Sequence, residues 1–277
     1  HTTYFNGRWA DGNVPLIGAM DHSVWLGSTV FDGARSIHRM VPDLRAHCER
    51  VIQSAARLGM QLELPADEMM RLAIEGVHRF DPDVDLYIRP LVFATAGVLV
   101  PEQCAFALSL FEAPLPAFEG FSAHLSERRR PSPLAATTDA KASALYANVA
   151  RALREAAAVG FQNAVVLDPD GHVAEFATAN LFLVTADGAV VTPATNGTFL
   201  AGITRARVIA LLAEEGIAVE QRTVAPAELE SAREIFSSGN YSKVMPCTRY
   251  GSRELPVGAV ATLARRRYME YAAGYRV

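Results

Sequence analysis

The chain has 277 residues, half of them hydrophobic and a fifth charged. At roughly 150 residues per domain that is one large domain or two small ones, and so ordinary a composition excludes a disordered, collagen-like or coiled-coil chain. The formal net charge of −4 argues against a dedicated nucleic-acid binder, and no apolar run reaches the ~20 residues that cross a bilayer.

In chain order, Tyr4–Trp9 reads as a short strand broken by Asn6-Gly7, a hairpin turn pair. Val24–Phe31 is apolar and fits a strand or a buried turn. Leu44–Leu58 carries apolar residues at Leu44, Cys48, Val51, Ile52, Ala55 and Leu58, a helical period, and Gly59 follows as a C′ stop. A second helix is expected over Ala66–Phe80, then strands over Leu86–Phe93 and Cys104–Phe111. Two prolines in Ala113-Pro114-Leu115-Pro116 block helix and weaken sheet pairing. They divide the chain into a smaller N-terminal α/β domain (1–115), a linker region (116–130) and a larger C-terminal domain (131–277). The run Arg128-Arg129-Arg130 reads as a solvated loop, with guidance of an anionic ligand as the second reading.

Ala142–Val159 is an alanine-rich helix with Leu145, Val149, Leu153 and Ala156 on one face. Strand, Asp168-Pro169-Asp170-Gly171 turn and strand follow to Phe176, then a hairpin across Asp187-Gly188. Gly202–Glu215 is a helix with Val208, Leu211 and Leu212 inward. Ile235–Asn240 is a strand running into a polar turn, and a helix near Val257–Tyr271 ends the chain. The expected class is α/β (mixed α+β) in two lobes.

Cys48, Cys104 and Cys247 show neither CxxC spacing nor a disulfide framework, which predicts a reducing, cytoplasmic location. The N-terminus lacks the basic start and apolar core of a signal peptide. No HExxH is present, and no metal site is expected. GxGxxG, GxxxxGK[ST] and GxSxG are absent too, so the nicotinamide, P-loop and α/β-hydrolase readings lose their support.

Only Lys141 and Lys243 are lysines among the 26 basic residues, a bias that fits a GC-rich coding composition. Chemistry that needs a side-chain amine therefore has two candidates. Lys141 lies at the mouth of the alanine-rich helix, where the macrodipole disfavours the charged amine, and a neutral amine is what attacks a carbonyl. A snorkelling lysine is the plainer reading of position alone. Tyr146 lies five residues on, roughly 140° round an ideal helix, so the two converge only if Lys141 precedes the regular helix. The Ala201-Gly202-Ile203-Thr204-Arg205 helix start offers N–H groups and a hydroxyl to a phosphate. The turn Ser238-Gly239-Asn240-Tyr241 offers more N–H groups, and Arg50 offers a bidentate guanidinium. Glu175, between apolar neighbours, needs a cationic partner or a raised pKa.

The order of these segments resembles the fold-type IV pyridoxal-phosphate enzymes, the class IV aminotransferases that include the branched-chain aminotransferases. Gly27-Ser28-Thr29-Val30-Phe31-Asp32-Gly33-Ala34-Arg35 is similar to the family's G-T-S-V-F-E-G-I-R, and Tyr87-Ile88-Arg89-Pro90-Leu91 to its Y-I-R-P-L. Lys141 with Tyr146, Glu175 with Asn180, and Leu200-Ala201-Gly202-Ile203-Thr204-Arg205 follow at family spacing. The resemblance implies the D-amino acid aminotransferase-like fold, a homodimer, and pyridoxal 5′-phosphate held by Lys141 as a Schiff base. It further implies that Lys141 shuttles a proton, that Glu175 pairs with the pyridinium nitrogen and that Tyr146 bonds the phenolic oxygen. Arg50, Ile203, Thr204, Gly239 and Asn240 would hold the phosphate, with Leu200 against the ring. Lys243 would not be the Schiff-base residue.

Phe31, Gly33, Tyr87, Arg89 and Tyr241 match the substrate side. Two departures stand out: Leu26 occupies a position usually held by tyrosine, and Gly239-Asn240-Tyr241 replaces G-T-A. The expected activity is transfer of an amino group from an apolar, branched-chain-like amino acid to a 2-oxo acid by a ping-pong route. The alternatives are a D-amino acid or (R)-selective amine transaminase, a lyase such as aminodeoxychorismate lyase, and a catalytically silent binding protein.

Overall fold

The computed structural model describes residues 1–277. They divide into two compact units: residues 1–115, 139–145 and 272–277 form the first, residues 116–138 and 146–271 the second.

The first unit starts with the hairpin β1 (Thr2–Phe5) and β2 (Arg8–Asp11). Asn6 and Gly7 both take positive φ, 50° and 77°, as a two-residue turn between twisted strands requires. A short helix α1 (His22–Leu26) leads into β3 (Thr29–Phe31) and β4 (Ala34–Ser36). Helices α2 (Leu44–Arg57) and α3 (Ala66–Val77) follow, then the long strands β5 (Leu86–Ala96) and β6 (Gln103–Glu112). The sheet order is β2-β1-β6-β5-β3, and β4 continues along β5. Leu86, Ile88 and Val92 of β5 join Cys48, Val51 and Ala55 of α2 and Met69, Leu72 and Ala73 of α3 in one buried cluster. The alternate β5 residues Tyr87, Arg89 and Leu91 stay half-buried on the opposite face.

The second unit is built on a nine-stranded sheet. Its strands are β7 (Phe121–Arg129), β8 (Asn163–Leu167), β9 (Val173–Phe176), β10 (Asn180–Val184) and β11 (Val190–Pro193), then β12 (Val219–Arg222), β13 (Glu234–Gly239), β14 (Lys243–Tyr250) and the short β15 (Arg253–Glu254). Their order is β12-β11-β10-β13-β14-β7-β8-β9, with β15 on β14. Helix α4 (Tyr146–Ala158) connects the parallel pair β7 and β8, and α5 (Ile203–Glu214) connects the parallel pair β11 and β12, as parallel neighbours require. Val208, Leu211 and Leu212 of α5 are buried as the periodicity predicts. The remaining helices are α6 (Pro226–Ser231) and α7 (Ala259–Ala273).

Three expectations change. The segment 116–130, read as a linker, contains β7, which pairs in parallel with both β14 and β8. The arginine run is solvated but is not a loop: Arg128 and Arg129, both exposed, end β7, and each of the three arginines has a partner. The alanine-rich helix starts at Tyr146, not Ala142, after a 3-10 turn at Ser143–Leu145. The reason is tertiary. Ala142 bridges Val30, the Lys141 N–H donates to Ser54 Oγ at 3.1 Å, and the Lys141 carbonyl accepts from Phe31 N at 3.1 Å. These ties hold residues 141–142 extended against their helix propensity, and Leu145 packs on the first unit's core. No helix is long and apolar enough to cross a membrane.

Candidate active site

In the first unit Lys141 sits in extended backbone, clamped by α2 through Ser54 and by β3 through Phe31. Its Nζ lies 5.0 Å from the centre of the Phe31 ring. The chain thus ties the backbone that carries this primary amine to a helix and a strand. It does not lie in the first turn of α4, so the helix-dipole argument drawn from the sequence does not apply to it.

Cross-strand register groups several of the residues expected on the substrate side. Phe31 pairs with Leu91, and Tyr87 with Phe111, so these side chains share the sheet face away from α2 and α3. Tyr87 stacks on Phe111 at 5.3 Å between ring centres. The Arg89 guanidinium lies 4.7 Å from the Phe111 ring centre and 5.6 Å from that of Tyr87. Gly33 is required by this packing, because a Cβ there would meet the Tyr87 hydroxyl at 2.0 Å.

Arg50 makes a contact the sequence did not announce. Its Nε and Nη2 bond the two oxygens of Asp32, at 2.6 and 2.8 Å, and His47 Nδ1 bonds Oδ1 at 2.7 Å. Asp32 is fully buried. Burial pushes its carboxyl up, but the charge and hydrogen bonds of Arg50, and then those of His47, outweigh that and hold it well below the usual carboxylate range. The fork leaves Arg50 oriented, with Nη1 outside the Asp32 pair.

In the second unit, Asn180 organises the remaining candidates. Its Nδ2 donates to Glu175 Oε2 at 3.3 Å and to the Leu200 carbonyl at 3.2 Å. Arg130 Nε lies 3.5 Å from Glu175 Oε1 and donates to the Thr198 carbonyl at 2.9 Å. Glu175 therefore has the cationic partner its apolar setting demands, and that partner came from the run read as a loop. Asn180 also lies against Gly202, the N-cap of α5, where an added Cβ would fall 1.9 Å from Oδ1. Across the sheet Asn180 faces Ser238.

The start of α5 and the end of β13 are thus held around one side chain. The first turn of α5 has no side-chain cap, so the N–H groups of Ile203 and Thr204 lack intrahelical acceptors. The Thr204 side chain is buried. At the β13 end, Ser238 Oγ and Asn240 Nδ2 are buried without a hydrogen-bond partner. Arg205 anchors the helix through Thr192 Oγ1, the Pro193 carbonyl and Gln221 Oε1. Tyr146 is the first residue of α4 and 38% exposed, and Tyr241, at the tip of the β13–β14 turn, is 62% exposed.

Sequence reasoning missed Asp32, His47 and Arg130. His47 and Arg50 share one face of α2 at i, i+3, and polar residues beside an apolar stripe were the available signal. Nothing in the spacing tied Asp32 to them.

The amino-transferase class IV family model matches residues 29–250. The chain belongs to the class IV aminotransferases. It is 31% identical over 280 residues to the branched-chain-amino-acid aminotransferase of Escherichia coli (strain K12), covering 95% of this chain and 89% of that protein. A probable branched-chain-amino-acid aminotransferase of Aquifex aeolicus is 29% identical over 276 residues, covering 95% and 88%. Among solved structures, an aminotransferase from Brucella abortus bound to the cofactor PLP superposes with a TM-score of 0.96 at 45% identity, covering 98% of this chain and 99% of that one. A branched-chain aminotransferase from Thermoproteus uzoniensis with norvaline gives 0.91 at 27% identity, covering 98% and 95%.

This class IV aminotransferase is accordingly pyridoxal-phosphate-dependent. Its residues fit that cofactor. The amine of Lys141 suits an aldehyde, and the Glu175 carboxylate suits a protonated ring nitrogen. The unpartnered Asn240 Nδ2 and Ser238 Oγ, beside an uncapped helix start that admits no side chain at Gly202, suit a phosphate.

Proposed function

We propose that this aminotransferase moves an amino group between an apolar, branched-chain-like amino acid and a 2-oxo acid by a ping-pong route. The observation that carries the proposal is Arg89. Its guanidinium rests on Phe111 and Tyr87 and makes no salt bridge. A cation set in an aromatic wall offers a carboxylate its counter-charge and an apolar side chain its contact surface. A simple amine has no use for that charge.

Pyridoxal phosphate, when bound, supplies an aldehyde that takes up the amino group and a ring that stores the electron pair freed at the donor Cα. In this reading Lys141 provides the covalent anchor and then carries the proton on Nζ. Glu175 holds the proton of the ring nitrogen, with Arg130 and Asn180 fixing its two oxygens. Tyr146 bonds the phenolic oxygen, and Leu200 packs against the ring. Ile203, Thr204, Gly239, Asn240 and Arg50 hold the phosphate, with Asp32 and His47 setting the Arg50 fork. Phe31, Gly33, Tyr87 and Arg89 form the substrate wall, and Tyr241 is a substrate residue in the same reading. A homodimer belongs to the same reading.

Trp25, Leu26 and the Asn240-Tyr241 turn support a second reading, transfer from D-amino acids or (R)-amines. A donor screen decides, with L-leucine, L-glutamate, D-alanine and (R)-1-phenylethylamine tested on the native enzyme and on Arg89→Ala. The first reading expects turnover with L-leucine and a KM rise of roughly tenfold or more in Arg89→Ala, the loss of one charged hydrogen bond. Preference for (R)-1-phenylethylamine, or indifference to Arg89→Ala, overturns it.

A further inference from the structure

The second lysine, Lys243, has no place in that scheme, yet it is the more unusual of the two. It is fully buried. It opens β14, pairs with Gly239 at the end of β13, and takes φ +60°. A three-residue hairpin loop commonly puts glycine at such a left-handed position, because an L side chain is strained there. Its stem runs into the unit, its Nζ lies 5.3 Å from the ring centre of the buried Tyr268, and Nζ donates to Asn240 Oδ1 at 2.6 Å.

That bond has a chemical consequence. The Lys243 amine donates, and the Asn240 amide can accept only through its oxygen. The Asn240 amide is therefore polarised one way, with Oδ1 on Lys243 and Nδ2 turned aside, and Nδ2 is the buried atom without a partner. A buried N–H without an acceptor is costly and calls for one. The amide of an asparagine has no intrinsic preference between its two faces. Flipped, it would set an oxygen against an anion.

We propose that Lys243 is a positioning residue, one that locks the Asn240 amide so that Nδ2 alone faces the cofactor phosphate. This rests on the reading that the Asn240 turn and the start of α5 hold that phosphate. Lys243 then substitutes for the self-adjusting hydroxyl that a serine or threonine at position 240 would bring, since a hydroxyl rotates to donate without help.

The test uses apoenzyme and two probes, pyridoxal 5′-phosphate and pyridoxal, which lacks the phosphate. Lys243→Met should weaken pyridoxal phosphate binding about tenfold or more, the loss of a hydrogen bond to a charged acceptor. Pyridoxal binding should stay within about twofold of the native value, and inorganic phosphate should raise the Tm of the variant apoenzyme less than that of the native one. In an Asn240→Thr background, Lys243→Met should cost nothing further. Equal losses for both probes, or the same loss in both backgrounds, mean a merely structural lysine and overturn the proposal.

Thr204→Val and Asn240→Asp test the underlying reading separately. If neither lowers the preference for pyridoxal phosphate over pyridoxal, the phosphate site itself is misplaced. If both do and Lys243→Met does not, only the role of Lys243 fails. Should Lys243→Met not fold, a crystal structure of the native holoenzyme decides. Nζ on Asn240 Oδ1 with Nδ2 on the phosphate supports the proposal, and Nζ on the phosphate itself overturns it.

Discussion

Replacing Gly202 by alanine adds one methyl group at the point where α5, β10 and Glu175 are joined. The backbone there has φ −69° and ψ 132°, open to any residue, so the effect is steric. The new Cβ would sit 1.9 Å from Asn180 Oδ1, 3.1 Å from its Cγ and 3.2 Å from Arg205 Cβ. The oxygen would have to withdraw by about 1.5 Å to reach ordinary contact. Asn180 lies on β10, between β11 and β13, and only its side chain can turn. Turning it breaks the Nδ2 bonds to Glu175 and to the Leu200 carbonyl. At 3.3 and 3.2 Å these stand at the weak end of the usual ranges, so their joint loss is about 2 kcal/mol. Two local terms oppose each other. Alanine is the poorer N-cap by up to about 1 kcal/mol, and it lowers the entropy of the unfolded chain by a similar amount. The net cost is about 2 kcal/mol, roughly a 4–8 °C fall in Tm for a chain of this size.

Urea denaturation of the apoenzyme measures this cost directly. Asn180→Ala should absorb it: in that background Gly202→Ala should cost less than about 0.5 kcal/mol, because the clashing oxygen is gone. Native stability in Gly202→Ala, or an equal cost in both backgrounds, would refute the contact argument.

Three further outcomes follow from the same geometry. On the role proposed for Glu175, Glu175→Gln should slow the single-turnover rate far more than it weakens substrate binding, because it would remove the charge that keeps the ring nitrogen protonated; an unchanged rate contradicts that role. Asp32→Asn removes a buried acceptor from Arg50 and His47, at about 3 kcal/mol of stability. The sign with pH is fixed, because the folded carboxyl titrates below its unfolded value of about 3.9. Its stabilisation is complete above that value and declines as pH falls further, so the Asp32→Asn deficit should shrink below about pH 4. A deficit that grows as pH falls below about 4 would contradict the pairing. Gly33→Ala should displace the Tyr87 ring and raise KM for amino acids, whereas native KM would show that this ring does not border the substrate.

Local elements were legible where the signal is local. The period of Leu44–Leu58 and the stop at Gly59 gave α2, and Asn6-Gly7 gave the first hairpin, because both depend on neighbours a few residues apart. Strand β7 was hidden. It follows two prolines and runs into three arginines, and its partners β8 and β14 lie far along the chain, so its membership of the sheet is written in no short window. The true start of α4 was hidden for a related reason. Alanine propensity favours helix from Ala142, and only the ties to Val30, Phe31 and Ser54 show why the chain stays extended there. At the site, residue types were readable and partners were not. Glu175 advertised the need for a cation, and Arg130 answered it from 45 residues away in sequence.

The central claim is that the cofactor binds covalently to Lys141. Borohydride reduction of the holoenzyme followed by peptide mass mapping tests it, and the two-lysine sequence makes the answer unambiguous. The account predicts the reduced pyridoxyl-phosphate mass on the peptide that contains Lys141 and on no other. The label on the Lys243 peptide, or no label at all, would contradict it.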